Sequence, residues 1–143
     1  MAFIQFFKKR NSGEVKLLRR FSPRFRVLNF RQGHPDFEKF TPAQEKKFHL
    51  KINKYLETTA RLVESGFYDL VVLDEALIGL RDGCFTEKKI LELVNRKPGS
   101  VELVLTGRGA TGKVTAAADL VTRMEPVKHP FFKGEKARRG IEY

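Results

Sequence analysis

Asp74 and Glu75 follow directly on the apolar run Leu70-Val71-Val72-Leu73. A four-residue apolar run between a helix and two acids reads as a strand buried on both faces of a parallel sheet. In such sheets ligands bind beyond the carboxyl ends of the strands. Two hard carboxylates placed there can hold Mg²⁺, directly or through water, beside nucleotide phosphates. The competing reading is structural: one acid caps the next helix and the other is solvated.

A second stretch with chemical potential is Gly107-Arg108-Gly109-Ala110-Thr111-Gly112-Lys113-Val114-Thr115. It nearly matches the phosphate-loop pattern of glycine, four residues, glycine, lysine, then serine or threonine. Val114 occupies the hydroxyl position, and Thr115 comes one place late, a turn of roughly 100° about a helix axis. The stretch therefore reads as a turn that imitates the loop. Arg108, just after a strand, can meet a phosphate bidentately or pair with a nearby carboxylate. His49 falls within a helix, His34 in a turn, and His129 where it can contact anions near a sheet edge. The single Cys84 reads as a packed side chain, and no zinc-type spacing links it to two histidines.

The elements that position these residues alternate between strand and helix. Phe3-Ile4-Gln5-Phe6-Phe7 and Phe25-Arg26-Val27-Leu28-Asn29-Phe30 predict two strands, joined by a basic connection with turn residues Asn11-Ser12-Gly13. Thr41-Pro42-Ala43-Gln44 predicts a helix start with a capping box and proline in the first turn. Phe48, Ile52, Tyr55, Leu56, Leu62 and Val63 then mark one face of a long helix ending near Gly66. A strand over 68–73, a helix from about Thr86 to Asn95, a strand over 101–105 and a short final strand at Leu120-Val121-Thr122 complete the series. Such alternation predicts a parallel α/β sheet with right-handed crossovers.

The chain has 143 residues, enough for one domain and a real core. Its hydrophobic fraction of 41% and charged fraction of 31% exclude disordered and fibrous classes. Four apolar residues in a row are far too few to span a bilayer, and Met1-Ala2-Phe3-Ile4 lacks the basic start of a secretion signal. With one cysteine, the expected location is the reducing cytoplasm. The net charge of +11 favours anionic partners or a solvated basic face.

Three stretches, in their order and spacing, resemble the ATP:corrinoid adenosyltransferases of cobalamin synthesis. They are the run from Tyr68 to Glu75, Leu105-Thr106-Gly107-Arg108-Gly109, and Ala118-Asp119-Leu120-Val121-Thr122 leading into Val127-Lys128-His129-Pro130-Phe131, with Gly140-Ile141-Glu142-Tyr143 at the end. Phe3-Ile4-Gln5-Phe6 and Gly13-Glu14 are similar to the family's second strand and the segment after it. The resemblance implies one domain over 1–143, with a basic irregular segment at 128–143. Its fold would be a three-layer parallel sheet of the P-loop NTPase (Rossmann-like) type. The implied reaction moves the 5′-deoxyadenosyl group of ATP to the cobalt of a reduced corrinoid, with Mg²⁺. Asp74 and Glu75 would be the magnesium-side acids, and Thr106 and Arg108 the nucleotide-facing end. Lys128 and His129 would belong to a closing C-terminal segment, and Phe30 or Phe37 would serve as the corrinoid-side aromatic.

The same comparison predicts that the family's first strand–loop–helix unit is absent, because Met1 stands where that unit would already have ended. Its strand would lie inside the sheet, so the remaining strands must close ranks or another chain must fill the gap. A homodimer or a partner bearing a phosphate loop is the implied assembly, with no membrane association. Two alternatives remain open: a corrinoid- or partner-binding relative without ATP chemistry, and, ranked last, a nucleic-acid-binding domain. The basic residues fall in no recognised nucleic-acid module.

Overall fold

A computed structural model describes residues 1–8, 12–21, 23–136 and 138. Four parallel strands form one sheet in the order β2-β1-β3-β4: β1 Ala2–Gln5, β2 Arg26–Asn29, β3 Leu70–Asp74 and β4 Glu102–Leu105. Helix α1 (Gly13–Leu18) connects β1 to β2, and α2 (Pro42–Glu64) connects β2 to β3. Helices α3 (Ala76–Arg81) and α4 (Glu87–Arg96) join β3 to β4, and α5 (Gly112–Ala116) follows. Strand β3 pairs with β1 on one side and β4 on the other.

The register explains the two faces. Ala2 lies opposite Val71, Ile4 opposite Leu73, Val71 opposite Leu103 and Leu73 opposite Leu105. Since successive side chains alternate across a sheet, these residues share one face. They form the core with Ile52, Leu56 and Val63 of α2 and with Ile90 and Leu93 of α4. The other face carries the row Val27, Phe3, Val72 and Val104. Helix α1 lies over its carboxyl end, burying Val15, while Val104 stays 41% exposed.

Helix α2 begins as expected. The Thr41 hydroxyl accepts from the Gln44 amide, and the Gln44 side chain accepts from the Thr41 amide. Its buried residues Phe48, Ile52, Leu56, Thr59 and Val63 recur at helical spacing. Ser65 is its C-cap, and Gly66 follows in the left-handed region. The predicted helix from Thr86 is α4, with the Thr86 hydroxyl accepting from the Lys89 amide.

Two short helices escape the sequence patterns. The stretch read as a basic connection contains α1, with Ser12 at its N-cap, while Asn11 lies outside the described residues. Helix α3 fills the stretch after Glu75. One expectation is corrected: Leu120-Val121-Thr122 is not a strand, and Leu120 and Val121 are exposed. So short a run cannot hold an extended ladder without a partner row, and no strand pairs with it among the described residues. The expected closing residues Gly140 to Tyr143 lie outside the described residues.

Candidate functional site

The carboxyl ends of all four strands meet in one polar row. Asn29 ends β2, Gln5 ends β1 and Asp74 ends β3, with Gln5 in register with both neighbours. Thr106 follows β4. Its hydroxyl donates to Asp74 Oδ1 at 3.0 Å and accepts from the Glu75 amide at 3.1 Å. Thr106 O also accepts from the Leu77 amide at 3.1 Å, tying the loop after β4 to the start of α3.

The other Asp74 oxygen, Oδ2, accepts from Gln5 Nε2 at 3.1 Å. Gln5 is completely buried. Its amide also reaches Glu14 Oε1 and Ser12 Oγ at 3.1 Å, and its carbonyl accepts from Asn29 Nδ2 at 2.7 Å. Burial pushes the Glu14 carboxyl up. Hydrogen bonds from Ser12, its own backbone and Gln5, with the Lys8 charge, outweigh that and hold it below the ordinary range.

Glu75 is the unusual member. Its backbone sits in the left-handed region at φ 63°, uncommon for a side-chain-bearing residue and costly by about 1 kcal/mol or more. It occupies the N-cap position of α3, yet its side chain makes no capping bond. Its Oε2 atom is buried and has no hydrogen-bond partner among the described residues. A carboxylate oxygen left bare in that way is expensive. A Mg²⁺ ion or one of its waters would satisfy it, so the donor set fits the ion. No three His, Cys, Asp or Glu side chains converge as a metal-ligand set among the described residues.

The loop after β4 is shaped by close approach. Gly107 has φ 122°, and a Cβ there would come within 3.1 Å of the Ile78 amide nitrogen. Arg108, next to it, is exposed and makes no ion pair among the described residues. Its charge still contributes to holding Asp82 low, after the larger effect of the Arg81 hydrogen bond. Further on, Lys113 pairs with Glu87 at 3.2 Å, and the Thr111 hydroxyl donates to Glu87 at 2.6 Å. The loop-like glycine stretch is therefore used to tie α5 to α4.

The remaining sequence candidates are held by other contacts. Phe30 stacks on Tyr55 with centroids 4.0 Å apart, and Phe37 stacks on His49 at 5.6 Å. Both are packed against the core cluster. Lys128 and His129 share a cleft of about 260 Å³ with Pro130, Lys133 and Glu135, which no strand-end residue lines. There His129 Nδ1 accepts from the Phe131 amide. His34 pairs with Asp82 at 3.2 Å. Cys84 is buried, and burial pushes its thiol up to about 12, as suits a packed side chain.

Gln5, Asn29 and Glu14 were absent from the sequence candidates. The available signal was Gln5 itself: an amide inside the apolar run Phe3 to Phe7 must find partners when buried.

Fold and site together define a parallel α/β protein with an acidic group at the carboxyl ends of its strands, where such sheets bind ligands. All 143 residues match the family model described as ATP:corrinoid adenosyltransferase BtuR/CobO/CobP, and the chain belongs to that family. A corrinoid adenosyltransferase of Pseudomonas aeruginosa is 39% identical over 87 residues, covering 61% of this chain and 43% of that protein. One from Sinorhizobium is 38% identical over 91 residues, covering 63% and 42%. The corrinoid adenosyltransferase CobA of Salmonella typhimurium is 34% identical over 83 residues, covering 58% and 42%. The aligned part of this chain thus spans less than half the length of these relatives. No helix among the described residues is long and apolar enough to cross a membrane.

Proposed function

We propose that this chain carries the acidic side of an adenosyltransferase site, acting on ATP and a reduced corrinoid. The observation that carries the reading is the strand-end group of Asp74, Glu75 and Thr106 in a member of this family. In the reaction the cobalt(I) electron pair attacks C5′, a Co–C bond forms, and the C5′–O bond breaks with triphosphate leaving. Bound Mg²⁺ would neutralise charge on that triphosphate. Glu75, through its bare Oε2, and Asp74 would hold the ion. Thr106 keeps both acids in place by bonding the Asp74 carboxylate and the Glu75 amide. Arg108, exposed beside them, would meet the leaving phosphates. The phosphate-wrapping amides would come from a glycine-rich loop elsewhere in the polypeptide or on a partner, since Lys113 is engaged with Glu87. Phe30 and Phe37 remain the aromatic candidates for the corrinoid side, and Lys128 and His129 for the closing segment. A cytoplasmic location and a homodimer belong to the same proposal.

The test is formation of adenosylcorrinoid from ATP, Mg²⁺ and chemically reduced corrinoid. Product is expected from the chain alone or on adding a phosphate-loop-bearing partner. No product in either case, together with no ATP binding, would sink the enzyme reading. The engagement of Lys113 favours a second reading, a corrinoid- or partner-binding relative without ATP turnover. Corrinoid binding with no adenosyl transfer, even with such a partner present, would support it.

A further inference from the structure

Gln5 is 0% exposed at the end of a central strand, where an apolar residue would bury without any hydrogen-bond requirement. Its amide nitrogen has two protons and three acceptors at 3.1 Å: Asp74 Oδ2, Glu14 Oε1 and Ser12 Oγ. Ser12 Oγ can instead donate, its own route to Gln5 Oε1 being 3.3 Å. The assignment that satisfies every group therefore sends the two amide protons to the two carboxylates. Asn29 Nδ2, at 2.7 Å, fixes the carbonyl on the opposite side and so sets which way the amide faces. Two carboxylates on one nitrogen would repel each other if left free. The shared donor holds them side by side.

We propose that Gln5 is the positioning residue of the acidic site: its buried amide locks Asp74 of β3 and Glu14 of α1 into one cation-facing edge. The inference rests on the reading of Asp74 as a magnesium-side acid, and it couples Glu14 to Asp74 through the shared amide. Gln5 touches neither nucleotide nor cation in this role and acts through the carboxylates it orients.

The experiment uses Mn²⁺ as the probe, read by electron paramagnetic resonance with and without ATP, alongside ¹³C NMR titration of the Glu14 carboxyl. Gln5→Met keeps length and removes the donor. Loss of an outer-shell partner of a metal ligand typically lowers metal affinity 10- to 100-fold. A fall of about tenfold in Mn²⁺ affinity is therefore expected for Gln5→Met, with the Glu14 titration midpoint moving up. In the Asp74→Asn background Gln5→Met should add little, because both changes break one linkage. Full additivity, or an unchanged Glu14 midpoint, would overturn the proposal. Should Gln5→Met fail to fold, Glu14→Gln, a change at an exposed residue, is expected to weaken Mn²⁺ binding several-fold, and unchanged binding would count against the proposal. If the unmodified chain binds no Mn²⁺ at all, the cation reading falls, and a double-mutant cycle of Gln5→Met with Asp74→Asn, read by urea unfolding, still decides whether Gln5 positions the carboxylate.

Discussion

At Glu75 the backbone accepts a left-handed turn and the side chain accepts a bare buried oxygen, two costs in one residue. Replacing it removes both. Glu75→Gly is expected to leave thermal stability unchanged or raise it, by up to about 1 kcal/mol, while cation affinity falls. A calorimetric melt with a Mn²⁺ titration checks the pair of outcomes, and a clear loss of stability would mean that the carboxylate has a structural partner. Thr106 is the opposite case, since its hydroxyl satisfies both Asp74 and the Glu75 amide. Thr106→Val should cost about 1–2 kcal/mol in urea unfolding, because two partly buried polar groups lose their partner. Thr106→Ser should retain most of that stability.

Among the elements, α3 shows how tightly the site is built into the core. Gly79 faces the rings of Phe85 and Phe7, and an added Cβ would lie 2.5 Å from Phe85 Cζ and 2.8 Å from Phe7 Cε2. Both rings are buried, so neither can swing aside freely. Gly79→Ala is expected to destabilise by about 1–3 kcal/mol despite the better helix propensity of alanine. Equilibrium unfolding would show it, and a stabilised variant would mean that the rings repack without strain. Helix α2 was legible because its capping box and apolar stripe are local signals. Helices α1 and α3 were not, being six residues each, too short for helical periodicity to stand out. The strand expected at Leu120 failed because a three-residue run has no strand character without a neighbouring row.

For the molecule as a whole, stability should fall on both sides of neutrality. Glu14 and Asp82 are held below their ordinary values of 4.5 and 3.8. The unfolded chain therefore takes up protons first, and the stability they contribute is present at neutral pH and lost as pH falls from about 4.5. On the alkaline side, Cys84 is raised from 9.0 to about 12, so its contribution is present below pH 9 and is lost as pH rises from there towards 12. Melting temperatures measured from pH 3 to 11 should trace both limbs. A Cys84→Ser variant should flatten the upper one. Thiol labelling of Cys84 at pH 8 should proceed only at the rate of unfolding, since the side chain is buried.

The sequence alone determined the strand–helix alternation, the start of α2, and the placing of Asp74 and Glu75 at a strand end. These rest on local pattern: apolar runs, caps, and acids placed directly after a buried strand. Only the tertiary structure decided which strands are neighbours, and register did the rest. Pairing β1 between β2 and β3 sets Gln5 in line with Asn29 and Asp74, residues far apart in the chain. That alignment turns one polar residue in an apolar strand into the support beneath the acidic pair. No spacing within a single segment encodes it, because it depends on which strand edges bond to which.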